Sequence, residues 1–575
     1  MDVGNRNSKK YVRITDAVFA LLLAVLTAIL IWRAPYGLDR CDECFYLTVP
    51  YRFLQGDLPI AQEWHVSQLS GLLLTPILWV YQRLGGPTEG IVLNFRYIYI
   101  GFQCAAALAI YLLLRKKSPL GALLAVLLFL PFSPYYIMAL SYNSMGIGLL
   151  LIAGLVLAFK DSSPLCQCTA GLLFAMAVLC CPYLLILYFG WGVYAVLRTV
   201  IGKNRAWLYG FLRFTAGAAA AALIVLAVIL SRVTIHDIGK ALPWIMDEPE
   251  HNYLTAAELT VKYLFHVLFS RKIALAASVA AAAVLAAGTL DKKIGEHKWL
   301  YVLAGAGITA VYLTVVYLRY RYINFFMLPM CILGAVCYFA DSSRDRAVFR
   351  YVYVTGWVYS YLMVLSSNNF YEALTASLTV SAAASAYFAG KTAHQLFAER
   401  TGKNTAAAAS AVCCTLLAFS CLFACKLKDT HGSYIEFAIF PRELLHYTVD
   451  RGPAKGIVTY DNEWARYTER YDTAETLRQA EGENVLYLTH DCWMYLADGK
   501  RNAAFSAWLA VTHESLYERL TAYYALRPEK QPDAVYVEKD ILMEPEKILA
   551  LWNTDEFTRE ENDTAVIFIR QKNIA

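Results

Sequence analysis

The sequence predicts a polytopic α-helical membrane protein that ends in a soluble α/β domain. Of its 575 residues, 58% are hydrophobic and 17% are charged, and the mean hydropathy of +0.42 lies outside the range of soluble globular domains. After Lys426 the composition becomes that of an ordinary soluble domain. The net charge of +5 gives no general cationic field, so we expect no nucleic-acid partner.

Long apolar runs separated by basic segments predict about thirteen membrane spans. The first run, Ala17 to Trp32, follows a basic N-terminus, and the second, Leu93 to Leu114, ends at Arg115-Lys116-Lys117. Basic residues mark the cytoplasmic side, so the N-terminus is expected there and residues 35–91 outside. Leu69–Leu84 is short and contains a proline, which favours an interfacial or re-entrant helix. The protein is therefore expected in the plasma membrane.

The same alternation defines two domains. Residues 1–425 form the predicted membrane domain, with a long outer loop at 234–269 and a last span near 405–425. Residues 426–575 form the predicted extracytoplasmic α/β domain, because strands alternate with helices such as Glu463–Ala480 and Glu514–Ala525. Short outer turns are predicted near 135–142, Cys181-Pro182, 317–321 and 366–371. The predicted strands are Gly456–Tyr460, Val485–Thr489, Ala534–Glu538 and Ala565–Arg570, and Gly452–Gly456 is predicted to be a turn.

The first outer loop concentrates polar chemistry next to the membrane. Asp39, Asp42 and Glu43 follow the first span within a few residues, and carboxylates near a low-dielectric boundary are costly unless something uses them. A solvated interfacial turn is the alternative. Cys41 and Cys44 flank two of these carboxylates and could pack, pair or bind metal.

Several short segments follow one another in this loop: Asp42-Glu43-Cys44-Phe45-Tyr46, Gly56-Asp57, Trp64-His65, Pro76, Gly85-Gly86 and Arg96. Their order resembles the first outer loop of GT-C glycosyltransferases. The nearest relatives in pattern are the protein O-mannosyltransferases and the bacterial lipid A aminoarabinose transferase, which use polyprenyl-phosphate sugars. Two positions depart from the family: His65-Val66-Ser67-Gln68-Leu69 stands for a His-Pro-Pro-Leu run, and Tyr142-Asn143-Ser144 lacks an acidic residue.

The resemblance implies a transferase that moves a sugar from a polyprenyl-phosphate donor to an acceptor hydroxyl at the outer face, with inversion. Asp42 would be the general base, and Glu43 would orient the acceptor or the base, or join a metal site. Arg96, Arg319 and Arg321 would bind the donor phosphate, unless they are interfacial anchors. Tyr46, Trp64 and His65 would contact substrate.

The acceptor stays open between a protein, a lipid and a cell-wall glycan, and membrane lipid is the other expected partner. No metal is required, although a divalent cation could use Asp42 and Glu43 with Asp247, Glu248 and His251 of the long outer loop.

Two other classes of function remain. A transporter or flippase would also need many spans, but it predicts charges at mid-membrane and repeats of broken helices. A membrane anchor whose C-terminal domain binds a partner would make Asp42 replaceable. The few mid-span charges and the polar outer loop favour chemistry at the outer face.

Overall fold

The computed structural model describes most of the chain. The described residues are 2–159, 163–247, 254–268, 307, 310, 314, 326–341, 343–367, 370–397, 405–429, 432–435, 438–479, 481–509, 511–539, 541, 545–552 and 554–571.

The first 429 residues are helical where they are described. Six helices there are long and apolar enough to cross a membrane: Tyr11–Arg33, Ile91–Leu114, Tyr142–Phe159, Pro182–Gly202, Ala206–Leu230 and Ala408–Asp429. The predicted fold class, a helical membrane protein with a C-terminal sheet, is confirmed; the number of thirteen spans stays a prediction. The helices are α1 (Asp2–Arg33), α2 (Asp42–Leu54), α3 (Leu69–Arg83), α4 (Ile91–Leu114), α5 (Pro119–Phe129), α6 (Tyr142–Phe159), α7 (Pro164–Cys180), α8 (Leu185–Gly202), α9 (Ala206–Leu230), α10 (Ile235–Met246), α11 (Ala256–Leu268), α12 (Met327–Ala340), α13 (Arg346–Val348), α14 (Thr355–Leu365), α15 (Phe370–Ser377), α16 (Thr379–Phe397) and α17 (Thr405–Asp429), with a π-helix at Phe349–Val354.

Ion pairs show which helix ends share a side of the membrane. Arg115, after α4, lies 2.9 Å from Asp16 in α1, and Lys117 bonds both to Asp345 and to the carbonyl of Ala158 at the end of α6. These ends therefore lie together, beside the N-terminal part of α1.

The other end of α1 meets the C-terminal domain. Tyr36 forms a parallel β-bridge with Val458, and the Gly37 amide donates to the Val458 carbonyl at 2.8 Å. The segment Gly452–Gly456, predicted to be a turn, also lies near this end of α1. Its Gly452 carbonyl accepts a hydrogen bond from the Gly90 amide, just before α4. The first outer loop and the C-terminal domain thus lie on one side, opposite to the basic helix ends.

Between α1 and α4 the outer loop forms two packed helices, α2 and α3. Glycine permits their close approach, because a Cβ on Gly71 would lie 2.6 Å from the Val49 side chain. Helix α3 has 15 residues and is about 22 Å long, shorter than a hydrocarbon core of about 30 Å.

The elements of the C-terminal domain are β1 (Gly432–Ile435), β2 (Ala438–Pro441), β3 (Tyr447–Thr448), β4 (Val458–Thr459), α18 (Asp461–Gln479), β5 (Asn484–Leu488), α19 (Met494–Ala497), β6 (Arg501–Asn502), α20 (Leu516–Leu526), β7 (Ala534–Glu538), α21 (Pro545–Leu549), β8 (Phe557–Glu561) and β9 (Ala565–Arg570). Five of the strands form a mixed sheet in the order β6-β5-β7-β9-β8, in which β6, β5 and β7 are parallel and β9 is antiparallel to both neighbours.

Strands β7 and β9 have the bounds that the sequence predicts, β4 lies inside the predicted strand Gly456–Tyr460, and β5 lies one residue before the predicted Val485–Thr489. The two-residue β3 and β6 and the charged β8 lack an apolar pattern and were missed, as were β1 and β2.

The central strands β5 and β7 are buried on both faces, which explains their continuous apolar sequences, whereas the edge strand β8 is exposed apart from Phe557. Val485 and Tyr487 of β5 pack with α18 and α2, whereas Leu486 and Leu488 pack with α20 and the outer loop. The sheet therefore docks on the membrane domain through both faces.

A buried ionic cluster fixes this docking. Arg52 of α2 pairs with Asp57 at 2.8 Å and with Glu63 at 2.6 Å, and it donates to the Ala504 carbonyl of the C-terminal domain. Lys530 of that domain pairs with Asp57 at 2.5 Å. All four charged side chains are almost fully buried, so the cluster joins the outer loop to the C-terminal domain with its charges matched.

The long outer loop is held by the same domain. Arg519 of α20 donates to the carbonyls of Trp244 and Asp247 at the C-terminal end of α10, and Arg527 pairs with Asp237 at 2.9 Å. A cation at a helix C-terminus is stabilising, so these arginines fasten α10 to the domain.

Replacing Arg52 with alanine is expected to destabilise the docked domain by about 3–5 kcal/mol, because Asp57 and Glu63 would keep buried charges without their main partner. Thermal unfolding and limited proteolysis of the purified full-length protein would measure this. The matched control is Arg451→Ala, whose pair with Asp472 is exposed and contributes at most about 1 kcal/mol. Equal melting temperatures for the two variants would contradict the prediction.

Candidate functional site

Arg96 ties the first outer loop to α4, and its surroundings differ from those expected of a phosphate ligand. Its guanidinium forms two bonds of 2.6 Å to the Glu43 carboxylate. Its other bonds go to the carbonyls of Ala34 (2.5 Å), Gly37 (2.7 Å) and Tyr36 (3.4 Å). An arginine has five N–H donors, and these five bonds use all of them. Arg96 therefore holds the loop in place, and its donors do not face a donor phosphate.

The three carboxylates of the loop have separate surroundings. Asp39 accepts from the amides of Cys41 and Asp42 at the start of α2; it is buried, and burial beside Asp42 and Glu43 raises the pKa of Asp39 well above its usual range. Glu43 is buried against Arg96. Asp42 alone of the three is partly exposed. It stands in the first turn of α2, where the helix dipole favours the charged carboxylate.

Phenol side chains gather around Asp42. Its carboxylate interacts electrostatically with Tyr46, four residues on in α2, and with Tyr142 at the start of α6. The two rings pack edge to face, and their centroids lie 5.7 Å apart. Tyr135 interacts electrostatically with Tyr46 and also with Tyr359 of α14. The site thus reaches from this loop into the helix ends on the side of the C-terminal domain.

A strained turn carries one of these tyrosines. Tyr135 and Tyr136 have φ angles of 54° and 64°, a left-handed conformation that costs a residue with a side chain about 1–2 kcal/mol. Helix α4 holds the turn, because the Tyr99 hydroxyl and the Gln103 amide both donate to the Phe132 carbonyl. Strain of this kind is concentrated at functional sites, and sequence patterns do not reveal it.

The C-terminal domain closes the site from above. The Cys41 thiol donates to the His490 carbonyl at 3.1 Å, and the Thr48 hydroxyl donates to the Cys492 carbonyl. The Cys492 thiol lies near Asp42, and burial raises its pKa. The segment that follows β5 therefore borders Asp42, although no sequence pattern indicates that residues so distant in the chain lie together.

A second buried ionic cluster lies beside this segment. Asp491 pairs with Arg40 of the outer loop at 3.2 Å and with Arg470 of α18, and Arg470 also pairs with Glu538. Glu463 of α18 lies close to these groups.

The structure separates the expected substrate contacts of the outer loop. Trp64 is fully buried, with its ring stacked 5.7 Å from Trp244 and edge-on to Tyr523. It packs the docked domain in this structure, and its contact with substrate stays a prediction. His65 is partly exposed; its ring packs on Phe45, and its Nδ1 accepts from the Ser67 amide, which leaves Nε2 as the protonated nitrogen of the neutral ring.

Two buried cations at the outer ends of the helices were missed. Arg33 ends α1 and interacts electrostatically with Tyr136 and Asp429. Lys426 in α17 donates to the Leu128 carbonyl at 2.8 Å and lies 4.6 Å from the ring centre of Phe132. In the sequence both residues stand at the ends of apolar runs, where a cation usually faces water. The sequence therefore does not indicate that these two cations are buried. Arg319 and Arg321 lie outside the described residues, as do Glu248 and His251.

The described cysteines are free thiols, Cys41 and Cys44 among them. Among the described residues, no group of three or more His, Cys, Asp or Glu side chains could hold a metal ion.

No protein-family model and no curated protein matches the chain. Among solved structures, it is similar to ArnT from Cupriavidus metallidurans in the apo state, with 13% identity, a TM-score of 0.44, and coverage of 96% of this chain and 98% of that chain. It is also similar to the archaeal oligosaccharyltransferase AglB from Archaeoglobus fulgidus in complex with an inhibitory peptide and a dolichol-phosphate, with 12% identity, a TM-score of 0.41, and coverage of 97% and 74%. Neither similarity assigns a role to a residue of this chain.

The surroundings of Glu463 predict a pH-dependent stability. Burial raises the pKa of Glu463 from 4.5 to about 7, so the folded protein binds this proton more tightly than the unfolded chain does. Unfolding then releases a proton between pH 4.5 and 7, and stability falls as the pH rises through this window. Glu463→Gln cannot titrate, so the stability of this variant is expected to fall less steeply with pH than that of wild type.

Thermal unfolding of wild type and Glu463→Gln between pH 5 and 8 measures this, and the control is Glu475→Gln, which removes a partly exposed carboxylate of α18 paired with Arg478. The expected difference in slope corresponds to at most about 3 kcal/mol across the window. Parallel curves for wild type and Glu463→Gln would refute the role of Glu463.

Proposed function

We propose that the protein is an integral membrane glycosyltransferase. It moves a sugar from a polyprenyl-phosphate donor to an acceptor hydroxyl at the extracytoplasmic face, with Asp42 as the general base and inversion at the anomeric carbon. The acceptor is a protein, a lipid or a cell-wall glycan, and a divalent cation is not required by the residues described.

The different surroundings of the three carboxylates carry this proposal. Asp39 caps α2 and Glu43 neutralises Arg96, so both are committed to the loop itself. Asp42 is the one that is partly exposed, and it faces a group of phenols at the membrane boundary. A general base must be able to reach the proton it removes, and only Asp42 of the three meets that condition.

The reaction exchanges one bond at the anomeric carbon for another. Asp42 would accept the proton of the acceptor hydroxyl as its oxygen attacks, while the bond from the anomeric carbon to the phosphate oxygen breaks and the lipid phosphate leaves with the electron pair. Attack opposite to the leaving group inverts the anomeric centre. Tyr46 and Tyr142 would present hydroxyls and ring faces to the sugar.

Fixed positive charge would stabilise the leaving phosphate. Arg33 and Lys426 suit this task, because both are buried cations beside the strained turn of Tyr135 and Tyr136. Arg319 and Arg321 remain candidates from the sequence, whereas Arg96 acts by positioning Glu43 and the loop. Glu43 is thus assigned to support the base.

The proposed orientation follows from the positions of the charges. Arg115 and Lys117 lie at the helix ends opposite to the C-terminal domain, and basic ends face the cytoplasm. This orientation places the N-terminus inside and both Asp42 and the C-terminal domain outside.

Asp42→Asn is expected to lower the transfer rate by about 10²- to 10⁴-fold, the usual contribution of a general base, because an amide cannot take the proton. The assay follows sugar transfer from polyprenyl-phosphate donors by the purified full-length protein, with NMR of the product to assign the anomer. The matched control is Glu89→Gln, which removes an exposed carboxylate of the same loop and should leave the rate unchanged.

Retained transfer by Asp42→Asn would exclude Asp42 as the base, and a product of retained configuration would exclude direct displacement. A wild-type protein that transfers no sugar from any donor, but moves lipid-linked sugars between leaflets, would instead identify a transporter.

A further inference from the structure

A groove of about 1060 Å³ runs between α8, α9 and the π-helix at Phe349–Val354. Its walls are mostly apolar and aromatic, and they include Trp191 and Trp207. Helices α7 and α9 touch by their backbones, because a Cβ on Gly171 or Gly217 would lie only 1.9 Å from a backbone oxygen of the opposite helix. Helix α8 has few buried residues and leaves the groove open.

The groove is separate from the Asp42 site. Its member in α6, Leu157, lies 15 residues beyond Tyr142 on the same helix, which is about 22 Å at the rise of an α-helix. Its polar end lies near Arg346, just after Asp345, whose partner Lys117 belongs to the side opposite to the C-terminal domain. A lipid whose phosphate reaches Asp42 therefore does not have its headgroup here.

Three arginines stand in the wall of the groove. Arg350 belongs to the π-helix and lies 4.6 Å from the ring centre of Trp207, and Arg213 of α9 donates to Gln167 at 3.5 Å. Arg346 and Arg213 are exposed. Of the described residues that line the groove, none is acidic, so this part of the groove has a positive end and a long apolar wall.

We propose that this groove is a binding site for an anionic glycerophospholipid of the leaflet that faces the N-terminus. Arg213, Arg346 and Arg350 would bind the phosphate headgroup, and the aromatic wall would bind an acyl chain. Anionic lipids are concentrated in the cytoplasmic leaflet, and arginine matches phosphate oxygens through paired N–H donors. The assignment rests on the proposed orientation, with the N-terminus in the cytoplasm, but not on the proposed glycosyltransferase activity.

One position allows the groove to be filled without disturbing the fold. A Cβ on Gly190 of α8 would meet no atom within 4 Å, although Gly190 lines the groove. Leucine there would occupy the acyl-chain space and also favours helix. Gly101 of α4 is the matched control, because its Cβ also meets no atom within 4 Å and it lies outside the groove.

The test is lipid titration of the purified, delipidated full-length protein by native mass spectrometry, with phosphatidylglycerol, phosphatidylcholine and a polyprenyl phosphate as probes. Wild type is expected to bind phosphatidylglycerol at least about tenfold more tightly than phosphatidylcholine. The double variant Arg213→Gln/Arg350→Gln should lose this preference, and Gly190→Leu should weaken both phospholipids about tenfold. Gly101→Leu and Arg344→Gln, an exposed arginine outside the groove, should bind as wild type does.

Equal binding of the two phospholipids by wild type, or Gly190→Leu and Gly101→Leu binding alike, would overturn the proposal. Tighter binding of polyprenyl phosphate than of phosphatidylglycerol, lost in Gly190→Leu, would also overturn it and would assign the groove to a polyprenyl lipid. Unchanged sugar transfer in Gly190→Leu would leave the proposal standing, since the two sites are separate.

Discussion

The buried guanidinium of Arg96 is the constraint from which the candidate site follows. A buried charge is tolerated only when it is paired and its hydrogen bonds are made, and Arg96 meets this condition through Glu43 and three carbonyls at the end of α1. The chain between α1 and α2 must therefore curl around the head of α4. That path leaves Asp42, the neighbour of Glu43, at the open edge of the loop, next to Tyr46 and Tyr142.

The C-terminal domain completes this arrangement from the other side. Two buried charged contacts join the outer loop to the domain, the Lys530–Asp57 ion pair and the hydrogen bond from Arg52 to the Ala504 carbonyl, and Asp491 adds a third through Arg40. The segment that follows β5 then lies over Asp42. The domain consequently acts as part of the site's wall, and its docking is coupled to the position of the proposed base.

Sequence reasoning worked where the signal is local. Length and hydropathy located α4 and α17, and apolar strand patterns located β7 and β9 with their bounds. It failed where burial depends on distant contacts. Trp64 resembled a substrate contact because nothing nearby indicates that Phe505 and Tyr523 enclose it.

Some residues of the candidate site could be predicted from local sequence, and others could not. Asp42 and Tyr46 could be selected from one short stretch whose order resembles a known family. Arg96 could be selected too, but its partners decide its role, and they become visible only when α1, α2 and α4 are packed. Arg33 and Lys426 required knowledge of burial, and the strained Tyr135 required backbone geometry.

The most direct test of this account is an experimental density map of the full-length protein with a sugar-linked polyprenyl phosphate bound. The account predicts the sugar beside the Asp42 carboxylate, between Tyr46 and Tyr142, with the phosphate near Arg33 or Lys426 and Arg96 still bonded to Glu43. The phosphate of the polyprenyl donor bound at Arg350 instead, or a sugar separated from Asp42 by intact protein, would contradict it.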